Sequence, residues 1–187
     1  FFAPYMRQYM ETYKAPDHIG CMVAVKDRLN ACRNPYAHLQ IPNIDLAMVQ
    51  QSPMLWEPLR FLESCPSSDG ACALVIANEE LALRAPNKPA WILGSSTRPD
   101  GTMYAGKDNV RPQSLIACAR DVYAKAGITN PRKQIDVAEL YVPFSWYEPM
   151  YLEALGICEQ GEGWKLTEAG ATAMTGDIPI NPSGGVL

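Results

Sequence analysis

The chain has only two histidines, His18 and His38. Neither has cysteine or acidic neighbours at a spacing suited to a metal or to a nucleophile–base pair, so both read as structural or surface residues. The six cysteines, Cys21, Cys32, Cys65, Cys72, Cys118 and Cys158, include no C-x-x-C pair. That removes the ligand spacing of a zinc site. Four of them fall inside helix or strand patterns, where a free thiol behaves as a small hydrophobe, and the expectation is a reduced, cytoplasmic protein. No apolar run approaches the roughly 20 residues that cross a bilayer, and none has the build of a signal peptide. Positive charge is in short supply as well. Sixteen Lys and Arg stand against twenty Asp and Glu, for a net charge of −4 and a pI near 5.2. The basic residues are scattered, which argues against a nucleic-acid footprint but leaves local cations to meet the phosphates of a coenzyme. No internal repeat is present.

What the chain does have is enough length for one sizeable core: 187 residues, 48% hydrophobic and 19% charged. Residues 1–13 form an amphipathic pattern with Tyr5, Met6, Tyr9 and Met10 as its inner stripe. Asp17 is placed to cap a second helix over 18–32, with Met22, Val25, Leu29 and Cys32 inward and Lys26, Arg28 and Arg33 on a solvated side. Pro35 biases Asn34 out of helical geometry and ends that helix. A short helix over 45–50 has Asp45 as its cap. Residues 54–64 are extended in part, and 65–70 form a turn by composition. The small-apolar run 71–77 predicts a strand buried on both faces. Helices are expected over 79–84, 112–126 and 164–171, with Pro112 opening the second and Gly127 closing it. Further strands are expected over 90–96, 178–180 and 185–187, and a mobile loop over 97–111. Strands alternating with helices across short joints make an α/β fold.

Residues 136–158 organise the rest. The apolar run 137–141 predicts a buried strand that Pro143 stops, because proline cannot donate to a ladder. Ser145 and Glu148 have the spacing of a capping box. A helix then presents Trp146, Met150, Leu152 and Leu155 inward, and Gly156 closes it. Tyr141 ends the strand at the approach to the helix N-terminus, where α/β proteins place reactive groups. On the residues alone, Tyr141 is better explained as a core tyrosine with its hydroxyl satisfied. Trp146 and Trp164 can each be core or pocket wall.

The words Glu139-Leu140, Phe144, Glu148, Glu153, Leu155-Gly156, Cys158 and Asn181-Pro182-Ser183-Gly184-Gly185 resemble the second half of a thiolase-superfamily protein, of the sterol-carrier-protein-type thiolase and lipid-transfer-protein branch. Asn34-Pro35-Tyr36-Ala37, Glu57-Pro58-Leu59-Arg60 and Cys65-Pro66-Ser67-Ser68-Asp69-Gly70-Ala71 agree, in the family's order along nearly the whole chain. The resemblance implies a thiolase-like fold with layered helices around mixed β-sheets. Residues 1–64 would complete an N-terminal half, and 65–187 would form a C-terminal half that stops early. A family member would carry roughly as much chain before Phe1, and more after Leu187.

The resemblance also implies acyl-CoA chemistry, with coenzyme A as a substrate moiety and no bound cofactor or metal. The family loop matching 65–70 lies near the pantetheine arm, which makes Cys65 and Ser67 candidate binding residues. Asn181, Ser183, Gly184 and Gly185 would border the acyl or pantetheine group, glycine permitting close backbone approach. At Tyr141 the resembling thiolases carry Asn or His; a steroid side-chain aldolase branch uses tyrosine. Tyr141 is therefore the candidate catalytic residue for retro-aldol cleavage of a β-hydroxyacyl-CoA, as oxyanion donor or general base. Alternatives are a β-ketoacyl-CoA thiolase whose nucleophilic cysteine lies outside these residues, and a non-catalytic lipid- or CoA-carrier subunit. The resemblance further implies a homodimer and an OB-fold, zinc-ribbon partner protein.

Overall fold

A computed structural model describes residues 2–100, 107, 108 and 110–187. Eight helices occur among them: α1 Ala3–Tyr13, α2 His18–Ala31, α3 Leu46–Gln51, α4 Glu79–Leu83, α5 Gln113–Ala126, α6 Pro131–Gln134, α7 Tyr147–Ala154 and α8 Gly163–Glu168. Strands β1, Met54–Trp56, and β2, Leu59–Arg60, pair antiparallel. Several local signals act as the sequence predicts. The Asp45 carboxylate accepts the Met48 N–H at 2.7 Å and caps α3. Asn78 does the same for α4 through Leu81, and Gly127 leaves α5 at φ +70°. The α1 stripe is inward, with Met6 and Tyr9 fully buried.

Long-range partners override other local signals. Asp17 does not cap α2; its carboxylate meets the Arg60 guanidinium, with one N–O distance of 2.6 Å. The Ser145–Glu148 capping box does not form. Ser145 Oγ instead donates to Glu63 Oε1 at 3.0 Å, and the Glu148 carboxylate meets Lys26. Helix α2 is also turned from its expected orientation. Its buried face carries Ile19, Gly20, Val23, Ala24, Asp27, Arg28 and Ala31, while Leu29 is exposed. The small residues on that face let neighbours approach: a Cβ on Gly20 would stand 2.3 Å from the Glu63 carboxylate and from Trp146 Nε1. Arg28 is no solvated cation either, since it donates to the carbonyls of Leu62 and Ser64, both at 3.1 Å.

The expected strands over 71–77, 90–96 and 185–187 form no ladder. A strand is defined by its ladder partners, and no backbone–backbone hydrogen bond joins these runs to another segment among the described residues. Leu74, Val75 and Ile76 are accordingly exposed, not buried. The expected loop over 97–111 lies partly outside the described residues, at 101–106 and 109. The strand expected over 137–141 meets 178–180 in one parallel bridge, Ala138 with Ile180. Ala138 donates to Pro179 O at 3.1 Å, and Asn181 donates back to Ala138 O at 2.8 Å. A further ladder bond would join the Leu140 N–H to the Asn181 carbonyl. That bond is replaced, because Asn181 turns into the left-handed region at φ 52°. Its side-chain Oδ1 takes the Leu140 N–H at 2.6 Å, and its backbone carbonyl goes to Asn30 Nδ2 at 3.0 Å. The next amide facing this segment, Ser183 N–H, donates to the Glu139 carboxylate at 2.9 Å, so the ladder ends there.

Three apolar clusters fill the interior. Met6, Tyr9, Ile19, Leu59, Trp146 and Met150 form one. Cys21, Val23, Val49, Val142 and Leu187 form the second, and Leu152, Ile157, Ile178 and Ile180 the third. A buried ionic group lies among them. Lys26 Nζ stands 2.7 Å from both Asp27 Oδ1 and Glu148 Oε2 and donates to Ile180 O at 2.9 Å. Asp27 Oδ2 accepts from Asn181 Nδ2 at 3.0 Å. Both carboxylates are 0% exposed, so one ammonium serves two buried acids.

Burial pushes the Asp27 carboxyl up to about 7; the Lys26 ammonium opposes the rise and Glu148 adds to it. The folded chain therefore holds a proton that an unfolded Asp, with a pKa of about 3.9, releases. The stability contributed by this proton is complete below about pH 4 and is lost as pH rises through the folded-state value. Glu63 and Glu153, both raised chiefly by burial, act in the same direction. Urea unfolding at pH 4 to 7 is expected to show stability falling with pH, and less steeply in Asp27→Asn. An identical slope in the variant would mean that Asp27 is ionised in the fold.

Candidate active site

Tyr141 follows the point where the ladder stops. It is 68% exposed and its hydroxyl makes no hydrogen bond among the described residues, so it is not a core tyrosine. The backbone beneath it is fixed by the Asn181 side chain on Leu140 N and, two residues on, by the Cys65 N–H donating to Pro143 O at 2.9 Å. Tyr141 forms part of the wall of two cavities.

The first cavity, of about 390 Å³, is bounded by His38, Cys65, Ser68, Tyr141 and the turn Ser183-Gly184-Gly185. Three contacts shape that turn. Ser183 N–H and Oγ both donate to the Glu139 carboxylate, at 2.9 and 2.8 Å. Asn34 Nδ2 donates to Ser183 O at 3.1 Å. Gly184, at φ +103°, presses its backbone on α2 so closely that a Cβ would stand 2.6 Å from Ala31 Cβ. His38 Nδ1 and Ser68 Oγ share a hydrogen bond across the opposite wall. The second cavity, of about 470 Å³, lies against α5 and α7 and includes Tyr147 and Tyr151.

The structure thus brings Tyr141, Cys65, Ser183, Gly184 and Gly185 together around one chamber. Ser67 is exposed and does not line it; its neighbour Ser68 does. Asn181 is fully buried and lies beneath the wall as its support. His38, read from sequence as structural or surface, is exposed and lies on the chamber wall. Only folding joins it to Ser68, thirty residues away, and no spacing signal announces that contact. Trp146 is core, and Trp164 packs against the same cluster. Burial holds the Cys21 and Cys158 thiols up at about 12, an inert setting. No group of three or more His, Cys, Asp or Glu side chains that could hold a metal ion converges among the described residues. No described helix is long and apolar enough to cross a membrane. Chemically, the chamber offers a phenol donor, an imidazole and a glycine turn in which Ser183 and Gly185 are exposed.

Asn181 has two separable roles, left-handed backbone and side-chain hydrogen bonding. Asn181→Ala loses both. Asn181→Gly keeps the backbone and should be the milder by about 1 kcal/mol. Each variant should also lose about 1–3 kcal/mol from the unpaired Leu140 N–H. Denaturant unfolding of the two variants checks this, and equal losses would show that the backbone carries no strain.

Residues 97–187 match the family described as Thiolase C-terminal domain-like. The chain is 32% identical over 187 residues to an acetyl-CoA acetyltransferase of Methanothermobacter thermautotrophicus, covering 99% of this chain and 48% of that protein. It is 33% identical over 190 residues to a steroid side-chain-cleaving aldolase of Thermomonospora curvata, with coverage of 99% and 48%. A solved structure described as an Ltp2-ChsH2(DUF35) aldolase superposes with a TM-score of 0.88 at 32% identity, covering 98% of this chain and 49% of that one. The chain spans about half the length of the curated relatives it matches. The α/β expectation and the family resemblance both hold: the chain carries a thiolase C-terminal-like domain within a thiolase-like fold.

Proposed function

We propose that the chain is part of an enzyme that cleaves a carbon–carbon bond in an acyl-CoA thioester, by retro-aldol chemistry on a β-hydroxyacyl-CoA. The observation that carries this is an exposed phenol at Tyr141, unpaired among the described residues, on a wall shared by two cavities and with the preceding amide held by the Asn181 side chain. Retro-aldol cleavage needs a group that takes the β-hydroxyl proton while the Cα–Cβ bond breaks. The bond's electron pair moves onto the thioester oxygen as an enolate, which is then protonated at Cα, and the β-carbon leaves as a carbonyl compound. Tyr141 is the residue placed to exchange that proton with the β-oxygen. The Ser183–Gly185 turn and Cys65 border the thioester and pantetheine arm, and Ser68 stands beside Cys65 where Ser67 was expected. Coenzyme A enters as part of the substrate. The name of the Thermomonospora relative supports this class of cleavage.

The same reading includes a homodimer in the cytoplasm and a partner of the OB-fold, zinc-ribbon kind. The two-component name of the solved neighbour supports a partner protein. Tyr141→Phe in the full-length gene product should lower turnover by about 10²-fold or more, the range of a positioned acid–base group. The assay follows β-hydroxyacyl-CoA and β-ketoacyl-CoA with and without free CoA. Cleavage of the hydroxy substrate without added CoA is the expected result. Cleavage of the keto substrate only with added CoA would make the protein a thiolase, and cleavage of neither would make it a carrier. Unchanged turnover in Tyr141→Phe would remove the residue from the mechanism.

A further inference from the structure

His38 is one of two histidines in the chain, and it lines the same chamber as Tyr141. Its loop is held at two places, and both lead to the segment that carries Tyr141. On one side the loop closes on Asn34. Asn34 Oδ1 accepts the Tyr36 N–H at 3.0 Å, and Asn34 O accepts the Ala37 N–H at 3.1 Å and Gln40 Nε2 at 2.9 Å. Asn34 Nδ2 in turn donates to Ser183 O, and Ser183 is bonded to Glu139, two residues before Tyr141. On the other side, His38 Nδ1 and Ser68 Oγ share a hydrogen bond. Ser68 belongs to the same turn as Cys65, whose N–H donates to Pro143 O, two residues after Tyr141. The bond at Nδ1 orients the ring and leaves Nε2 with no partner among the described residues. The other titratable side chains lining the chamber are the phenols of Tyr36 and Tyr141 and the thiol of Cys65. Of these groups, imidazole is the one that both takes and gives a proton readily near neutral pH. We infer that His38 is a second catalytic residue, the acid that delivers a proton to Cα of the enolate.

This inference rests on the retro-aldol reading and names the group that completes it. With the β-oxygen at the Tyr141 hydroxyl and the thioester bordered by Ser183–Gly185, Cα lies inside the chamber that His38 lines. Tyr141 takes the β-hydroxyl proton as the Cα–Cβ bond breaks, and the electron pair of that bond moves onto the thioester oxygen. The pair then returns, the thioester carbonyl re-forms, and Cα takes a proton from the His38 imidazolium. The acyl-CoA leaves with a new Cα–H bond, and the imidazole is left neutral. Transfer of the proton on Tyr141 to the imidazole through solvent restores both groups, so the cycle gains and loses no proton. Two groups serve two atoms: the phenol acts at the β-oxygen and the imidazole at Cα.

The test is exchange of the α-hydrogens of acetyl-CoA in D2O by the full-length gene product, followed by mass spectrometry. Exchange runs the Cα step in both directions and breaks no carbon–carbon bond, so it is read separately from the cleavage assay. Wild type is expected to incorporate deuterium. His38→Gln should slow incorporation by about 10²-fold, the scale of a positioned acid–base group, with calorimetric affinity for CoA within about twofold of wild type. His38→Gly should be as slow, and should regain incorporation when imidazole is added, which a packing role would not produce. The inference is overturned if His38→Gln incorporates deuterium at the wild-type rate, if added imidazole restores nothing, or if CoA affinity falls in parallel with exchange. Absence of incorporation by wild type also overturns it, whereas the retro-aldol reading falls when the β-hydroxy substrate is not cleaved.

Discussion

Two carboxylates, Asp27 and Glu148, are removed from water around a single ammonium, that of Lys26. Two buried anions against one cation is an electrostatic imbalance that the interior does not tolerate, since an unpaired buried charge costs several kcal/mol. The imbalance pushes the Asp27 carboxyl up and is relieved by polar partners, the Ile180 carbonyl on the ammonium and the Asn181 amide on Asp27. The members of this group come from three parts of the chain: helix α2 supplies Lys26 and Asp27, α7 supplies Glu148, and the bridge segment supplies residues 180 and 181. The ionic group therefore fixes three elements against one another at one point, and the clusters around it fill in the remaining volume.

The site follows from that fixation. Asn181 donates to Asp27, its backbone turns left-handed, and its side chain takes the place of the next ladder acceptor. The turn that follows is drawn against Ala31 on the same helix α2 that carries Asp27, and its other side is held by Glu139. Tyr141, one residue past the last satisfied amide of that segment, is left exposed. The candidate site is the place where regular pairing ends, and hydrogen bonds from Asn181, Asn34 and Glu139 hold the backbone around it.

What the sequence makes legible is local. Asp45, Asn78 and Gly127 act through neighbours three or four residues away, so their roles can be read without the fold. Asp17, Ser145 and Glu148 carry equally good capping signals but are claimed by Arg60, Glu63 and Lys26, and a spacing rule has no way to see a partner tens of residues away. The orientation of α2 fails for the same reason: its buried face includes Asp27 and Arg28, which a hydrophobic stripe discards, and Gly20 and Ala24, which it ignores. The run 71–77 shows the limit from the other side. Composition marks a strand, but a strand needs neighbours, and the chain spans about half the length of its relatives. Tyr141 was legible through family resemblance, because its own pattern fits a core residue equally well. The Ser183–Gly185 wall came from the same source, while the contact of His38 with Ser68 came from neither.

The placement of one phenol between two chambers also bears on which chemistry the site favours. A phenol can donate to a thioester oxygen or exchange a proton with a β-oxygen, and by type alone it does not distinguish thiolysis from retro-aldol cleavage. Position does. In thiolysis a sulfur must reach the β-carbonyl carbon, so the group beyond that carbon needs space and an attacking thiol needs a path. Of the thiols in this chain, Cys21 and Cys158 are pushed up by burial, away from thiolate character. Cys65 lies on the chamber of the glycine turn, on the side assigned to the pantetheine arm, and its backbone N–H is engaged with Pro143. A retro-aldol step asks less of these residues: a proton acceptor at the β-oxygen, a donor toward the enolate, and separate volumes for two products that form at the same moment. What the fold supplies toward that proposal is the Tyr141 phenol on a wall shared by two cavities, one residue past the amide that the Asn181 side chain takes.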